Sequence, residues 1–124
     1  EWQPIWFDTD DDLPRSIAGL LAYDVLVINP IRDGLNLVAF EGPLVNERSG
    51  VLVLSDHAGA AAQLNEAAVM LHPYDINGTA AALAHALDMA EEERASRASQ
   101  LRNAALARTV DDWLTDQLEA VGGH

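Results

Sequence analysis

The sequence predicts an α/β fold, a partial doubly wound parallel sheet with helices on both faces. Three observations carry this reading. Short, largely apolar runs recur at 24–29, 51–54 and 67–71, and each leads directly into a turn and a helix-forming segment. The 124 residues, 49% hydrophobic and 22% charged, suffice for one real core. Strands that read apolar throughout are those buried on both sheet faces, joined by right-handed helical crossovers.

Taken in order, Pro4-Ile5-Trp6-Phe7 reads as a short strand that ends in an acidic turn. Asp12 can cap a helix with Pro14 in its first turn, where a missing N–H costs nothing, and Ile17, Leu20 and Leu21 supply its apolar face. Strand 24–29 follows. A helix is expected over 36–47, strained at Gly42-Pro43 and closed by Gly50 in the left-handed conformation. Strand 51–54, a small-residue helix over 58–64 and strand 67–71 come next. Asn77 is placed to cap a helix over 78–88. A polar helix over 90–107 carries its acids first and its arginines later, as the helix dipole prefers. Thr109 and Asp112 form a capping box for a last helix through Trp113, Leu114, Leu118 and Val121. Only three or four strands can be assigned, where a doubly wound domain commonly has five or six, so the chain reads as the back part of a larger protein.

The charge is lopsided: 20 acidic residues oppose seven basic ones, a net charge of −13, and all seven basic residues are arginine. Such a surface favours solubility and disfavours nucleic acids and anionic membranes. No apolar run approaches the roughly 20 residues of a membrane span. The absence of cysteine rules out disulfides and suits a cytoplasmic protein. Asp8, Asp10, Asp11 and Asp12 lack the spacing of a calcium loop. A phospho-acceptor receiver domain would need a lysine, and there is none.

The most informative stretch is Asp24-Val-Leu-Val-Ile-Asn-Pro30 with the turn and helix start that follow it, through Glu41. A strand running into a glycine turn and a helix presents free backbone N–H groups and a positive dipole end at the sheet's carboxyl edge, where phosphate binds. Asp33 and Glu41 bracket that turn. Beside a diphosphate they are poor phosphate ligands and good acceptors for sugar hydroxyls, so the pattern suggests a nucleotide-sugar site. The plainer reading is a turn residue and an exposed helix residue, with Asn36 capping the helix and Arg32 paired locally to Asp33. His57 and His72 each end a strand. They read as hydrogen-bonded turn residues, with no third donor at zinc spacing, and no metal is expected. Ser55-Asp56-His57 lists the residues of a hydrolase triad, but neighbours in sequence cannot adopt its geometry. Trp2, Trp6 and Trp113 are expected in the core or at a domain contact.

Arg32-Asp33-Gly34-Leu35-Asn36-Leu37-Val38-Ala39-Phe40-Glu41 resembles the donor-site motif of the trehalose-6-phosphate synthase family, retaining glycosyltransferases built from two Rossmann-like domains (the GT-B architecture). Gly50-Val-Leu-Val-Leu-Ser55, Ala58-Gly59-Ala60, Leu64, His72-Pro73-Tyr74-Asp75 and Trp113 follow in matching order, so the resemblance spans essentially the whole chain. It implies a transferase making trehalose 6-phosphate from UDP- or GDP-glucose and glucose 6-phosphate. Residues 1–108 would be part of the nucleotide-sugar-binding domain, and the helix over 109–124 would pack on a domain outside this chain. Asp33 is implied as the catalytic residue that accepts hydroxyls of the transferred glucose. Gly34, Leu35, Asn36, Leu37 and Val38 would meet sugar and diphosphate, and Glu41 would hold the ribose. No cofactor and no enzymic nucleophile are implied. Phe40 stands where the family usually has lysine. The family's other phosphate ligands, an arginine and a lysine, lie upstream of the matching segment, so the chain alone is expected to be inactive. The alternative is a non-catalytic nucleotide-sugar-binding or assembly module. Unpaired sheet edges lead us to expect a homo-oligomer.

Overall fold

The computed structural model describes residues 1–122. Its elements run α1 (Leu13–Ala22), β1 (Val25–Ile28), α2 (Val38–Val45), β2 (Val51–Ser55), α3 (Ala61–Leu64), β3 (Val69–Leu71), α4 (Ile76–Asp88), α5 (Glu91–Leu106) and α6 (Val110–Gly122). The three strands are parallel in the order β1-β2-β3, with Val25 opposite Val51 and Val53 opposite Val69. The expected parallel sheet is therefore present, with β2 at its centre.

Every residue of β2 is buried, as its unbroken apolar run requires. Alternate side chains leave opposite faces of the strand. Leu52 and Leu54 join Ile28, Ala39 of α2, Leu64 of α3 and Leu101 of α5 in one cluster. Val51 and Val53 join Leu71, Ala82 and Ala86 of α4, and Met89 in the other. Burying one such Leu or Val side chain contributes about 1.5–3 kcal/mol. β1 is an edge strand, and Val27 there is 44% exposed, so that run is not buried throughout as its composition suggested.

Polar side chains fix the connections. The Asp12 carboxylate accepts from the Arg15 N–H and caps α1 as expected. Asn46, buried at the end of α2, donates to the carbonyls of Leu20 and Tyr23 and accepts from the Arg48 and Gly50 N–H groups. It thereby ties α1, α2 and the approach to β2 together. Pro43 sits inside α2, and Arg102 of α5 donates to the Pro43 and Asn46 carbonyls at that helix's end. Thr109 and Asp112 exchange the two bonds of a capping box at α6.

Several local expectations are corrected. Residues 4–7 form no strand and are exposed, because no described strand offers its backbone to them. Trp2, Trp6 and Trp113 are exposed, which overturns the core alternative and not the domain contact, and Ile17 is exposed as well. The left-handed residue before β2 is Ser49, at φ 52°, not Gly50. Gly50 answers to space instead: a Cβ there would lie 2.2 Å from the Tyr23 ring. The cap of α4 is Asp75, which accepts from the Gly78 N–H at 2.8 Å, and Asn77 lies inside the helix. β3 starts at Val69 because the Ala67 and Ala68 N–H groups close on the Leu64 carbonyl. The end of the last helix at 123–124 lies outside the described residues.

The Tyr23 hydroxyl is buried without a hydrogen-bond partner among the described residues, and burial pushes its pKa up to about 12. Tyr23→Phe removes that unsatisfied group and keeps the ring against Gly42 and Gly50. It is expected to raise unfolding stability by about 1 kcal/mol, read as a higher urea midpoint at unchanged m-value.

Candidate functional site

The carboxyl ends of the three strands lie on one edge of the sheet, so the loops after β1, β2 and β3 are neighbours. The first two are joined by backbone. The Asp33 N–H donates to the His57 carbonyl, Gly59 N–H to Asp33 and Ala60 N–H to Leu35, at 3.3, 2.9 and 2.8 Å. Asp33 and Ala58 form an isolated parallel bridge. The ladder between β1 and β2 thus resumes beyond the strands, which is why α3 begins at Ala61 rather than at 58. The Ser55 hydroxyl, buried at the end of β2, donates to the Pro30 carbonyl. Gly59 makes the approach possible, since a Cβ there would stand 1.9 Å from the Gly34 oxygen. Gly34 itself faces open space.

Within this frame the turn closes on Asp33. Its Oδ1 accepts from the Leu35 N–H at 3.1 Å, and its Oδ2 accepts from the Asn36 side-chain amide at 2.9 Å. The Leu35 amide first, and Asn36 after it, hold the carboxyl below its ordinary value of 3.8. Asp33 is therefore an anion at neutral pH, aimed by its own turn. The expected Arg32–Asp33 ion pair does not form, because the carboxylate is turned onto these two donors. Arg32 is left exposed with no acidic partner among the described residues.

Asn36 is left-handed, at φ 69°, so α2 cannot begin before it and starts at Val38. Its Oδ1 accepts from the Ala39 N–H, confirming Asn36 as a cap. The Asn36 N–H is turned toward the Asp33 carboxylate, while the N–H groups of Leu37 and Val38 find no acceptor among the described residues. They stand together at the positive end of α2, the arrangement that takes a phosphate. Glu41 lies one turn on, exposed. Phe40 is half-buried, packs against the core and lines a groove of about 520 Å³ with Leu35, Leu37, Gln63, Arg108 and Trp113.

Sequence reading missed one cluster. Asp56, His57 and His72 bring ligand atoms within 4.8 Å of one another. His57 and His72 do make the expected turn bonds, to the Ile31 carbonyl and from the Tyr74 N–H. The third donor was legible only through the pairing of Ser55 with Leu71, which sets the next residues side by side.

The model of the family "Glycosyltransferase family 20" matches residues 1–122. The chain is 38% identical over 114 residues to validamine 7-phosphate valienyltransferase of Streptomyces hygroscopicus subsp. jinggangensis, covering 92% of the chain and 23% of that protein. It is 40% identical over 108 residues to trehalose-6-phosphate synthase of Mycobacterium tuberculosis, covering 86% of the chain and 21% of that protein. Among solved structures, an α,α-trehalose-phosphate synthase (UDP-forming) from Burkholderia xenovorans in complex with glucose-6-phosphate superposes with a TM-score of 0.86 at 34% identity. That match covers 98% of the chain and 27% of that structure. The chain thus spans about a quarter of the length of the relatives it matches. The α/β architecture is that of a Rossmann-like domain of such a transferase.

Two outcomes follow from the turn. Gly59→Ala places a methyl against backbone that cannot rotate away. It is expected to cost about 1–3 kcal/mol, with the loss visible in a urea titration. The Asp33 hydrogen bonds belong to the ionised carboxylate, and its pKa is lowered on folding, so their support is present above the ordinary value and is lost as pH falls through the depressed one. The Leu35 amide resonance should hold steady from neutrality down to about pH 5 and shift only in stronger acid.

Proposed function

Because the chain belongs to glycosyltransferase family 20, we propose that it is the donor-holding part of a retaining glucosyltransferase. Such an enzyme makes trehalose 6-phosphate from a nucleotide-glucose and glucose 6-phosphate. The observation that carries the reading is the turn 33–38, where the Leu37 and Val38 amides, without an acceptor among the described residues, follow one oriented carboxylate. A sugar nucleotide needs both kinds of group. Its diphosphate takes N–H donors and its hydroxyls take anionic oxygens.

In this reading the Leu37 and Val38 amides receive the diphosphate, with Asn36 holding the turn beside them. Negative charge grows on the leaving phosphate as the glycosidic carbon–oxygen bond breaks. Fixed dipoles at a helix start stabilise that charge without reorganising, the form of catalysis in which preorganisation contributes most. Asp33 keeps free lone pairs on both oxygens and orients the glucosyl ring through its hydroxyls. Glu41, one turn into α2, takes the ribose hydroxyls, and Gly34 and Leu35 shape the wall against the sugar. The exposed Arg32 is the one cation inside the motif. The B. xenovorans relative is called UDP-forming and is described with glucose-6-phosphate, which supports UDP-glucose as donor and that sugar phosphate as acceptor. Residues 1–108 make up the donor domain in this proposal. α6 lays its exposed Val110, Trp113, Leu114, Leu118 and Val121 on another domain of the full enzyme.

The test is steady-state kinetics of the full-length protein with UDP-glucose, GDP-glucose and glucose 6-phosphate. Asp33→Ala is expected to lower kcat by about 100-fold or more, the scale of losing one oriented group at the reacting centre. Glu41→Gln is expected to raise the donor KM by about tenfold at nearly unchanged kcat. Full activity in Asp33→Ala would reject the catalytic reading and leave the assembly module.

A further inference from the structure

We propose that Asp56, His57 and His72 form a site for one divalent transition-metal ion of the zinc type, on the same sheet edge as the donor turn. The ligands come from two loops that parallel pairing fixes side by side. β2 and β3 end in register at Ser55 and Leu71, so Asp56 and His57 emerge next to His72. The two imidazole centroids are 4.9 Å apart, edge to face, and the Asp56 Oδ1 lies 3.8 Å from the His57 Nε2.

The hydrogen bonds set the proton positions. The Ile31 carbonyl, 2.8 Å from the His57 Nδ1, can only accept, so that nitrogen carries the proton in this contact. The lone pair is then on Nε2, beside Asp56. A histidine that donates one N–H to a backbone carbonyl and offers the other nitrogen outward is the usual form of a metal-binding imidazole. For His72 the ion competes only with the Tyr74 N–H, whose 3.3 Å contact to Nδ1 is long for a hydrogen bond.

Ligands at about 2.0–2.1 Å from a tetrahedral zinc stand about 3.3 Å from one another. One donor atom from each residue already lies within 4.8 Å of the others, and all three residues are exposed, so their side chains have room to close the difference. Two imidazoles and one carboxylate suit zinc over magnesium, which prefers an octahedron of oxygens. Three protein ligands leave a position for water. The net charge of −13 raises the local concentration of cations. A bound ion would fasten the loops after β2 and β3 to each other. Through the Ile31 carbonyl and the Asp33–His57 backbone bond it would steady the segment that leads into the donor turn. The site uses no residue of the proposed donor machinery, so it stands or falls separately from that function.

The experiment is calorimetric titration of the purified, tag-free protein with zinc chloride, paired with visible absorption on titration with cobalt. One ion per chain is expected, with a cobalt spectrum of low coordination number and no competition from a hundredfold excess of magnesium. His57→Ala and His72→Gln should each weaken zinc binding about tenfold or more. Asp56→Asn should weaken it as well, while His85→Ala, on the exposed face of α4, should leave it unchanged. Circular dichroism of each variant shows that the fold is kept. Absence of saturable zinc binding would overturn the proposal, as would zinc affinity unaltered in both the His57 and His72 variants, or competition by magnesium.

Discussion

The whole carboxyl edge of the sheet hangs on the backbone pairing of residues 33–35 with 57–60. A turn after an edge strand is ordinarily free to wander, since its amides and carbonyls can bond to water instead of to one another. Here three backbone bonds carry the parallel ladder past the ends of β1 and β2, and the missing side chain of Gly59 lets the two chains touch. Asp33 is consequently held from both sides. Its main chain belongs to the ladder, while its carboxylate collects the Leu35 and Asn36 donors. The left-handed Asn36 turns the chain into α2 with the Leu37 and Val38 amides unspent among the described residues. A carboxylate fixed by neutral donors keeps its charge and its aim, which is what the proposed binding of sugar hydroxyls asks of it.

The rest of the fold serves to keep that edge still. β2 is apolar on both faces because both are covered, and its two clusters meet helices rich in alanine, which come close to the sheet. Where the chain must turn under that layer, the polar groups are paid in full: Asn46 makes four hydrogen bonds to backbone, and Arg102 meets two carbonyls at the end of α2. The Tyr23 hydroxyl is the one buried side-chain group left unpaired among the described residues.

What was legible in the sequence follows the range of the interaction involved. Strands 51–54 and 24–29, the Asp12 cap and the Thr109–Asp112 box depend on neighbours a few residues away, and each is found where the pattern places it. The family was readable because the residue order over 32–41 is specific. The misplacements share a cause. Residues 4–7 have strand-like composition but no strand beside them, and a strand exists only by pairing. Gly50 looked like a conformational glycine and Gly59 like one small residue of a helix, yet neither has a positive φ. Both answer to a partner far along the chain, Tyr23 in one case and Gly34 in the other. Asp75 rather than Asn77 caps α4, a contest between two equally suitable side chains that local pattern cannot decide. The Asp56–His57–His72 cluster depends on β2–β3 register, which no short-range signal records.

The shared ladder also bears on how sequences of this kind can diverge. Surface loops usually tolerate insertion and deletion, because nothing ties their length to another segment. The loops after β1 and β2 lack that freedom. One added residue in either would shift it by about 3.3 Å along the other. Gly59 would then stand opposite a different carbonyl, and a residue with a Cβ would take its place at the close approach. A length change in one loop is tolerable only with a matching change in the other, so these two segments should drift in composition while keeping their lengths in step.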